Sequence, residues 1–310
     1  MFLRWRFADT ATGTTPTDQR LRRTQNFSSF YYPRDFFMNY VTTADKTKLY
    51  VKDWGSGKPV VLLHGWPLSA DSWDDQAMAL ADAGYRAISY DRRGFGRSSQ
   101  PWSGYDYDTL ADDLAAVIQQ TGAKDAVLAG FSMGGGEVAR YMSRHGGKHV
   151  RRAVLVSSVV PFMLKTEDNP DGTEPSMFED MTKAMKEDRA KFFAGFFKDF
   201  YGVSLLGESV SEQQVEASCN TAMQASLKAT LACAASFATT DFRDDLAAFK
   251  VPTLIIHGVD DQTVPIDAAG RAAAKGIKDA TLIEYEGAPH GLLATHKSRI
   301  TADLLDFIGR

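Results

Sequence analysis

The chain has few cysteines, few histidines and no long apolar run. Two Cys in 310 residues cannot build a disulfide framework. No stretch approaches the length of a membrane-spanning helix, so no span is expected. Positive charge is not in excess either. Lys and Arg total 35 against 39 Asp and Glu, a net charge of -4. An extended basic face for nucleic acid is therefore not expected. The chain is instead 44% hydrophobic and 11% aromatic, enough to exclude disorder over most of its length and to bury a real core.

Residues 1–35 carry six Arg and three Asp. Arg4 and Arg6 are followed by no apolar h-region. Arg22 and Arg23 form a pair, but the FSSFYYPRDFF that follows is too polar for an export signal. The segment reads as a polar extension, and cytoplasmic placement is expected. Phe27, Phe30, Tyr31 and Tyr32 would favour an anchoring or oligomer-forming arm.

From residue 36 the pattern becomes regular. FFMNYVTTADKTKLYVKDWG reads as a hairpin turning at Asp45 and Lys46. Strands are expected at residues 60–64, 85–90, 126–129, 153–160, 253–257 and 281–285. Helices are expected at 70–83, capped by Asp71 and ended by Gly84, and at 107–120, ended by Gly122. Others are expected from 139 to about 144, near 267–276 and near 296–308. This alternation predicts an α/β fold, a mostly parallel sheet with helices on both faces. Residues 164–245 break the rhythm. A polar loop, KTEDNPDGTEPS, precedes helical stretches rich in Phe, Met and Ala. Such an insertion would form a helical cap over the carboxyl ends of the strands, where α/β sheets bind ligands. The core would then be 36–163 with 246–310.

Gly130-Phe131-Ser132-Met133-Gly134 follows the strand AVLAG and precedes a helix. This is G-x-S-x-G in the setting of a nucleophile elbow. A serine on so sharp a turn exposes its hydroxyl, and Gly130 and Gly134 avoid Cβ collisions. Gly130 to Gly136 is expected to be a tight turn. Serine needs a base. Of six His, His290 in EGAPHG, in the loop after the last expected strand, fits the chain order serine, acid, histidine. His145 and His149 read as surface residues, His296 as the start of the last helix, and His257 as packed at a strand end. The acid belongs in HGVDDQTVP, where Asp260 and Asp261 are equally placed. These residues do not match a zinc spacing, and no metal or cofactor is expected.

A tetrahedral intermediate needs N–H donors. The backbone of Met133 offers one and that of Trp66, in His64-Gly65-Trp66-Pro67, the other. Gly65 permits close approach, Pro67 has no N–H, and His64 reads as a support of this loop. DRRGFGRSS fails the phosphate-loop patterns, so its Arg residues are expected to pair with nearby acids. Phe131, Phe162, Phe196 and Phe200 are candidates to line an apolar pocket. Cys219 and Cys233 read as buried small hydrophobes.

KDWGSGKPVVLLHGWPLSADSW, DRRGFGRSSQPWSGYDYDTLADDL, AVLAGFSMGGGEVARY, FKVPTLIIHGVDDQTVP and EGAPHGLLATH together resemble the cofactor-free haloperoxidase/perhydrolase and aryl esterase branch of the α/β-hydrolases. The resemblance spans about residues 36–308. It implies Ser132 as nucleophile, His290 as base and Asp261, the Asp before Gln, as acid, with Trp66 and Met133 as oxyanion donors. It implies a serine hydrolase whose acyl-enzyme is taken by water or by hydrogen peroxide, the latter giving a peroxyacid that oxidises bromide or chloride without haem or metal. A Pro matching Pro67 goes with higher perhydrolysis in related enzymes, through a shifted Trp carbonyl. Phe95 stands where many members have His, and Val259 where an acid is common. Implied partners are a small ester, lactone or carboxylic acid and hydrogen peroxide, with no nucleic acid or membrane. Relatives often self-associate, which makes a homo-oligomer an expectation. A lactonase or γ-lactamase with the same triad, and a non-catalytic binding protein on the same scaffold, are the alternatives.

Overall fold

The computed structural model describes residues 40–203 and 210–310. The 1–35 extension lies outside them. Eight strands form one sheet in the order β1-β2-β4-β3-β5-β6-β7-β8. They are β1 (Tyr40–Thr42), β2 (Lys48–Gly55), β3 (Pro59–Leu63), β4 (Arg86–Tyr90), β5 (Ala126–Phe131), β6 (Val150–Val156), β7 (Thr253–Gly258) and β8 (Thr281–Tyr285). The β1–β2 and β2–β4 pairs are antiparallel and all others parallel. β3 and β5 are buried throughout their lengths, which is why they read as continuous apolar runs.

The helices between strands are α1 (Asp74–Asp82), α2 (Tyr107–Thr121), α3 (Met133–Arg144), α4 (Pro175–Tyr201), α5 (Glu212–Gln224), α6 (Leu227–Thr239) and α7 (Ala272–Gly276); α8 (Leu292–Thr295) and α9 (Lys297–Gly309) close the chain. Strand order reverses after β4, since β5 lies on the far side of β3. Right-handed crossovers then put α1 on one face and α2 and α3 on the other. The observed packing of α1 with α9 and of α2 with α3 agrees. In α2 the cause is local. Asp106 accepts from the Thr109 N–H at 2.9 Å, Leu110, Leu114, Val117 and Ile118 make one buried stripe, and Gly122 ends the helix at φ 67°. Those four aliphatic side chains contribute ~1.5–3 kcal/mol each by leaving water.

Several boundaries differ from the sequence reading. Ser69, not Asp71, caps the first helical segment, a 3-10 turn at Ala70–Trp73. Gly134 to Gly136 lie inside α3 rather than in a turn, because the helix must pack directly on the sheet. β6 runs from Val150 to Val156, earlier than expected. In α4, Asp188 departs from helical geometry and its carboxylate accepts the Lys191 N–H at 2.9 Å, so it caps a second helix after a kink. Cys233 is buried as expected, while Cys219 is half-buried.

Candidate active site

The strand-order reversal brings the carboxyl ends of β3 and β5 side by side, the place where such sheets bind ligands. Ser132 follows β5 at φ 53°, ψ -118°, a region that L-residues rarely occupy. Its N–H donates to the Val156 carbonyl at 2.8 Å and its carbonyl accepts from Gly135 at 3.0 Å, which pins the bend. The hydroxyl makes no bond to the helix it precedes. A Cβ on Gly134 would lie 2.5 Å from the Leu63 carbonyl oxygen, so the first turn of α3 can touch β3 only as glycine. Gly130 faces Gly134 across the same bend.

His290 sits in the loop between β8 and α8. Its Nε2 lies 2.9 Å from Ser132 Oγ, and its Nδ1 lies 2.6 Å from Asp261 Oδ2. The carboxylate needs a donor, so Nδ1 carries the hydrogen and Nε2 is free to accept from the serine. Asp261 Oδ1 accepts the N–H groups of Thr263 at 2.9 Å and Val264 at 2.8 Å. Burial alone would raise its pKa. The charge of His290, with hydrogen bonds from His257 and His290, outweighs burial and holds the carboxyl well below the usual carboxylate range. Asp260 is exposed, and of the two adjacent acids it is Asp261 that meets His290. The His290 ring packs between Phe131 at 5.3 Å and Phe200 at 4.8 Å between centroids. The Gly291 N–H donates to the Phe200 carbonyl at 2.8 Å, tying the end of α4 to the histidine loop.

The loop after β3 lies against the same serine. A Cβ on Gly65 would stand 2.8 Å from the Phe131 ring and 3.1 Å from Ser132 Cβ. Among the described residues, neither the Trp66 nor the Met133 N–H donates to a backbone carbonyl of a turn or loop. The Trp66–Pro67 peptide is cis. The Trp66 indole donates to the Thr230 carbonyl of α6 at 3.1 Å, and its ring meets Phe192, Phe193, Phe196 and Phe237.

His64 supports this loop from beneath. Its Nδ1 donates to the Gly65 carbonyl at 2.8 Å, and its Nε2 accepts the Arg92 N–H at 3.0 Å. Burial, reinforced by the Arg92 charge, pushes its pKa well below the ordinary value, so it stays neutral. The Arg92 guanidinium donates to the His64 carbonyl at 2.6 Å and pairs with Glu137 of α3 in full burial. Glu137 also accepts from Tyr90 at 2.7 Å. The loop carrying one amide and the helix carrying the other are thus cross-braced. Arg93 pairs with Asp113 at 2.6 Å and Arg97 with Asp91 at 2.8 Å, as expected for this Arg-rich loop. Glu137 was not singled out from sequence. Its signal is a lone acid on the buried face of GGGEVARY.

A cavity of about 390 Å³ is lined in part by Phe131 and Gly291, the chain neighbours of Ser132 and His290, though not by Ser132 or His290 themselves. Its lining mixes apolar Leu68, Phe200 and Leu293 with polar Ser211, Gln214 and Thr221 of the α5 region and charged Asp71, Asp75 and Lys297. Phe131 and Phe200 line it, but Phe162 and Phe196 do not. Phe162 lies beneath the Arg243 guanidinium at 5.1 Å, and Phe196 is taken up by Trp66 at 5.4 Å and by neighbouring cap rings. No helix among the described residues is long and apolar enough to cross a membrane.

A serine hydroxyl, an imidazole and a buried carboxylate in this order can perform nucleophilic acyl transfer. Similar proteins carry names in keeping with that chemistry. The chain is 42% identical over 275 residues to a non-heme chloroperoxidase from Kitasatospora aureofaciens, covering 88% of this chain and 100% of that one. It is 43% identical over 277 residues to a bifunctional esterase/perhydrolase from Acinetobacter calcoaceticus, covering 87% and 99%. A bromoperoxidase structure from Bacillus anthracis superposes with a TM-score of 0.85 at 43% identity, again covering 87% and 99%. Residues 58–297 match the alpha/beta hydrolase fold model, and the chain belongs to that family.

Proposed function

We propose that this protein is a serine esterase for short-chain or aryl carboxylic esters that also forms peroxyacids with hydrogen peroxide. The observation that carries this reading is the continuous row from Ser132 Oγ through His290 to Asp261, with gaps of 2.9 and 2.6 Å. In this reading His290 takes the Ser132 proton as Oγ attacks the carbonyl, and Asp261 stabilises the imidazolium. The Trp66 and Met133 N–H groups receive the oxyanion. His290 then protonates the leaving alcohol. Water or hydrogen peroxide, deprotonated by His290, attacks the acyl-enzyme and releases a carboxylic acid or a peroxyacid. A peroxyacid transfers oxygen to bromide, giving hypobromous acid and the carboxylate, which accounts for haloperoxidase names without a metal step.

The cavity supports small substrates. About 390 Å³ lies near the low end of the ~300–1,000 Å³ typical of ligand pockets. Residues 164–245 act in this reading as a cap whose Phe200 covers His290 and whose α6 anchors Trp66. The test is one panel: aryl esters and lactones, and acetate with peroxide and bromide, for wild type and Ser132→Ala. Ester turnover and bromide oxidation that both vanish with Ser132→Ala support the reading. Full activity in Ser132→Ala overturns it. Turnover of lactones alone would favour the lactonase alternative.

A further inference from the structure

We propose that His257 is a positioning residue that holds Asp261, and through it His290, in register. This rests on the hydrolase reading above. His257 lies near the end of β7, opposite Glu284 of β8, and is fully buried. Glu284 is itself paired with Arg271 at 2.6 Å. The His257 Nε2 is 2.9 Å from the Val264 carbonyl oxygen and 3.3 Å from Asp261 Oδ2. Both are acceptors, so Nε2 carries a hydrogen. The carbonyl takes the shorter bond and the carboxylate the longer contact. Val264 in turn donates its N–H to Asp261 Oδ1 at 2.8 Å. The three groups close a ring in which His257 grips the acid directly and through the loop that carries it.

The other edge of the imidazole shows what the residue is for. Nδ1 is buried and has no hydrogen-bond partner among the described residues. A Cβ on Gly270 would lie 2.8 Å from it, so that edge is fixed by packing. An unpartnered buried nitrogen is a cost that a Leu of similar size would avoid. What Leu cannot supply is the Nε2 hydrogen. Asp261 Oδ2 must serve His290 from one side, and His257 fixes the carboxylate from the other. Without that donor the carboxylate accepts more strongly from His290 and is held less firmly. The imidazolium is then favoured, and the acid limb of the reaction moves to higher pH.

The test follows the rate at which an aryl phosphonate labels Ser132 as a function of pH, in wild type, His257→Leu and His257→Gln. The Gln amide reaches about as far as Nε2 and keeps a donor. His257→Leu should label roughly tenfold or more slowly at the plateau, the scale of a hydrogen bond to a charged group. Its acid limb should shift upward in pH, while Gln stays close to wild type in both respects. A folded His257→Leu with the wild-type rate and profile, or a Gln variant as impaired as Leu, overturns the proposal. If Leu does not fold, His257→Asn takes its place. Its amide stops one bond short, so it should show the shifted limb, and a wild-type profile overturns the proposal. If wild-type Ser132 takes no label, the hydrolase reading fails. The low-field proton signal of His290 Nδ1–H then decides for His257, moving in Leu but not in Gln if it positions Asp261, and in neither if it does not.

Discussion

Replacing Glu137 by Met should destabilise the protein more than replacing its partner, and replacing both should recover most of the loss. Arg92 and Glu137 each expose about 1% of their side chains. Without Glu137 the guanidinium keeps its charge, since it cannot deprotonate, and retains only neutral acceptors such as the His64 carbonyl at 2.6 Å. Removing one partner of a buried pair costs ~3–5 kcal/mol, which for a chain of this size is a fall in Tm of roughly 5–8 °C. Arg92→Met is milder. Burial already pushes the Glu137 carboxyl up, against the opposing Arg92 charge, so without Arg92 it takes a proton and keeps its bond to Tyr90. The double variant buries no lone charge and should melt close to wild type. Its ester turnover should stay low, because the guanidinium bond to the loop bearing the Trp66 amide is gone. Circular-dichroism melts at pH 7, with ester kinetics, read both effects. Equal melting of Glu137→Met and wild type, or a double variant no more stable than Glu137→Met, would refute the reasoning.

Gly65→Ala places a Cβ 2.8 Å from the Phe131 ring, so the loop must move away from Ser132; kcat should fall roughly 10²-fold with a smaller change in KM. Asp261→Asn should lower kcat/KM by about 10⁴-fold at pH 7. The folded carboxyl of Asp261 titrates below its unfolded value near 3.9, so its stabilisation is complete above that pH and lost as pH falls below it. The Tm gap between wild type and Asp261→Asn should therefore begin to narrow below about pH 4 and keep narrowing as the pH falls toward the folded value, and a gap that stays constant over that range would count against the assigned charge state. Pro67→Leu should lower the ratio of perhydrolysis to hydrolysis, measured as bromide oxidation against ester turnover. An unchanged ratio would remove Pro67 from the perhydrolysis argument.

Much of the fold was readable because its signals are local. The alternation of apolar strands with capped helices, Gly122 after α2 and G-x-S-x-G after β5 all act within a few residues. What meets across the fold was not readable. Asp260 and Asp261 differ only in which way one loop turns, and residues alone left them tied; the resemblance favoured Asp261. The Arg92–Glu137 brace joins residues 45 apart, and the contact of His257 with Asp261 depends on a loop folding back on its strand. The pocket candidates divided for a similar reason. Phe196 and Phe200 lie one helical turn apart, but only Phe200 reaches His290, while Phe196 faces Trp66. The cap at Ser69 was hidden by Asp71, which has an equal claim to that role, and the kink at Asp188 by the lack of any Pro or Gly beside it.

Rapid mixing of the protein with an activated aryl acetate, followed by mass analysis of the quenched protein, asks whether one alcohol becomes an acyl carrier. A burst of about one phenolate per chain, with an acetyl group on the peptide containing Ser132 and neither in Ser132→Ala, is the expected result. Steady turnover without a burst or adduct, undiminished in Ser132→Ala, would contradict it.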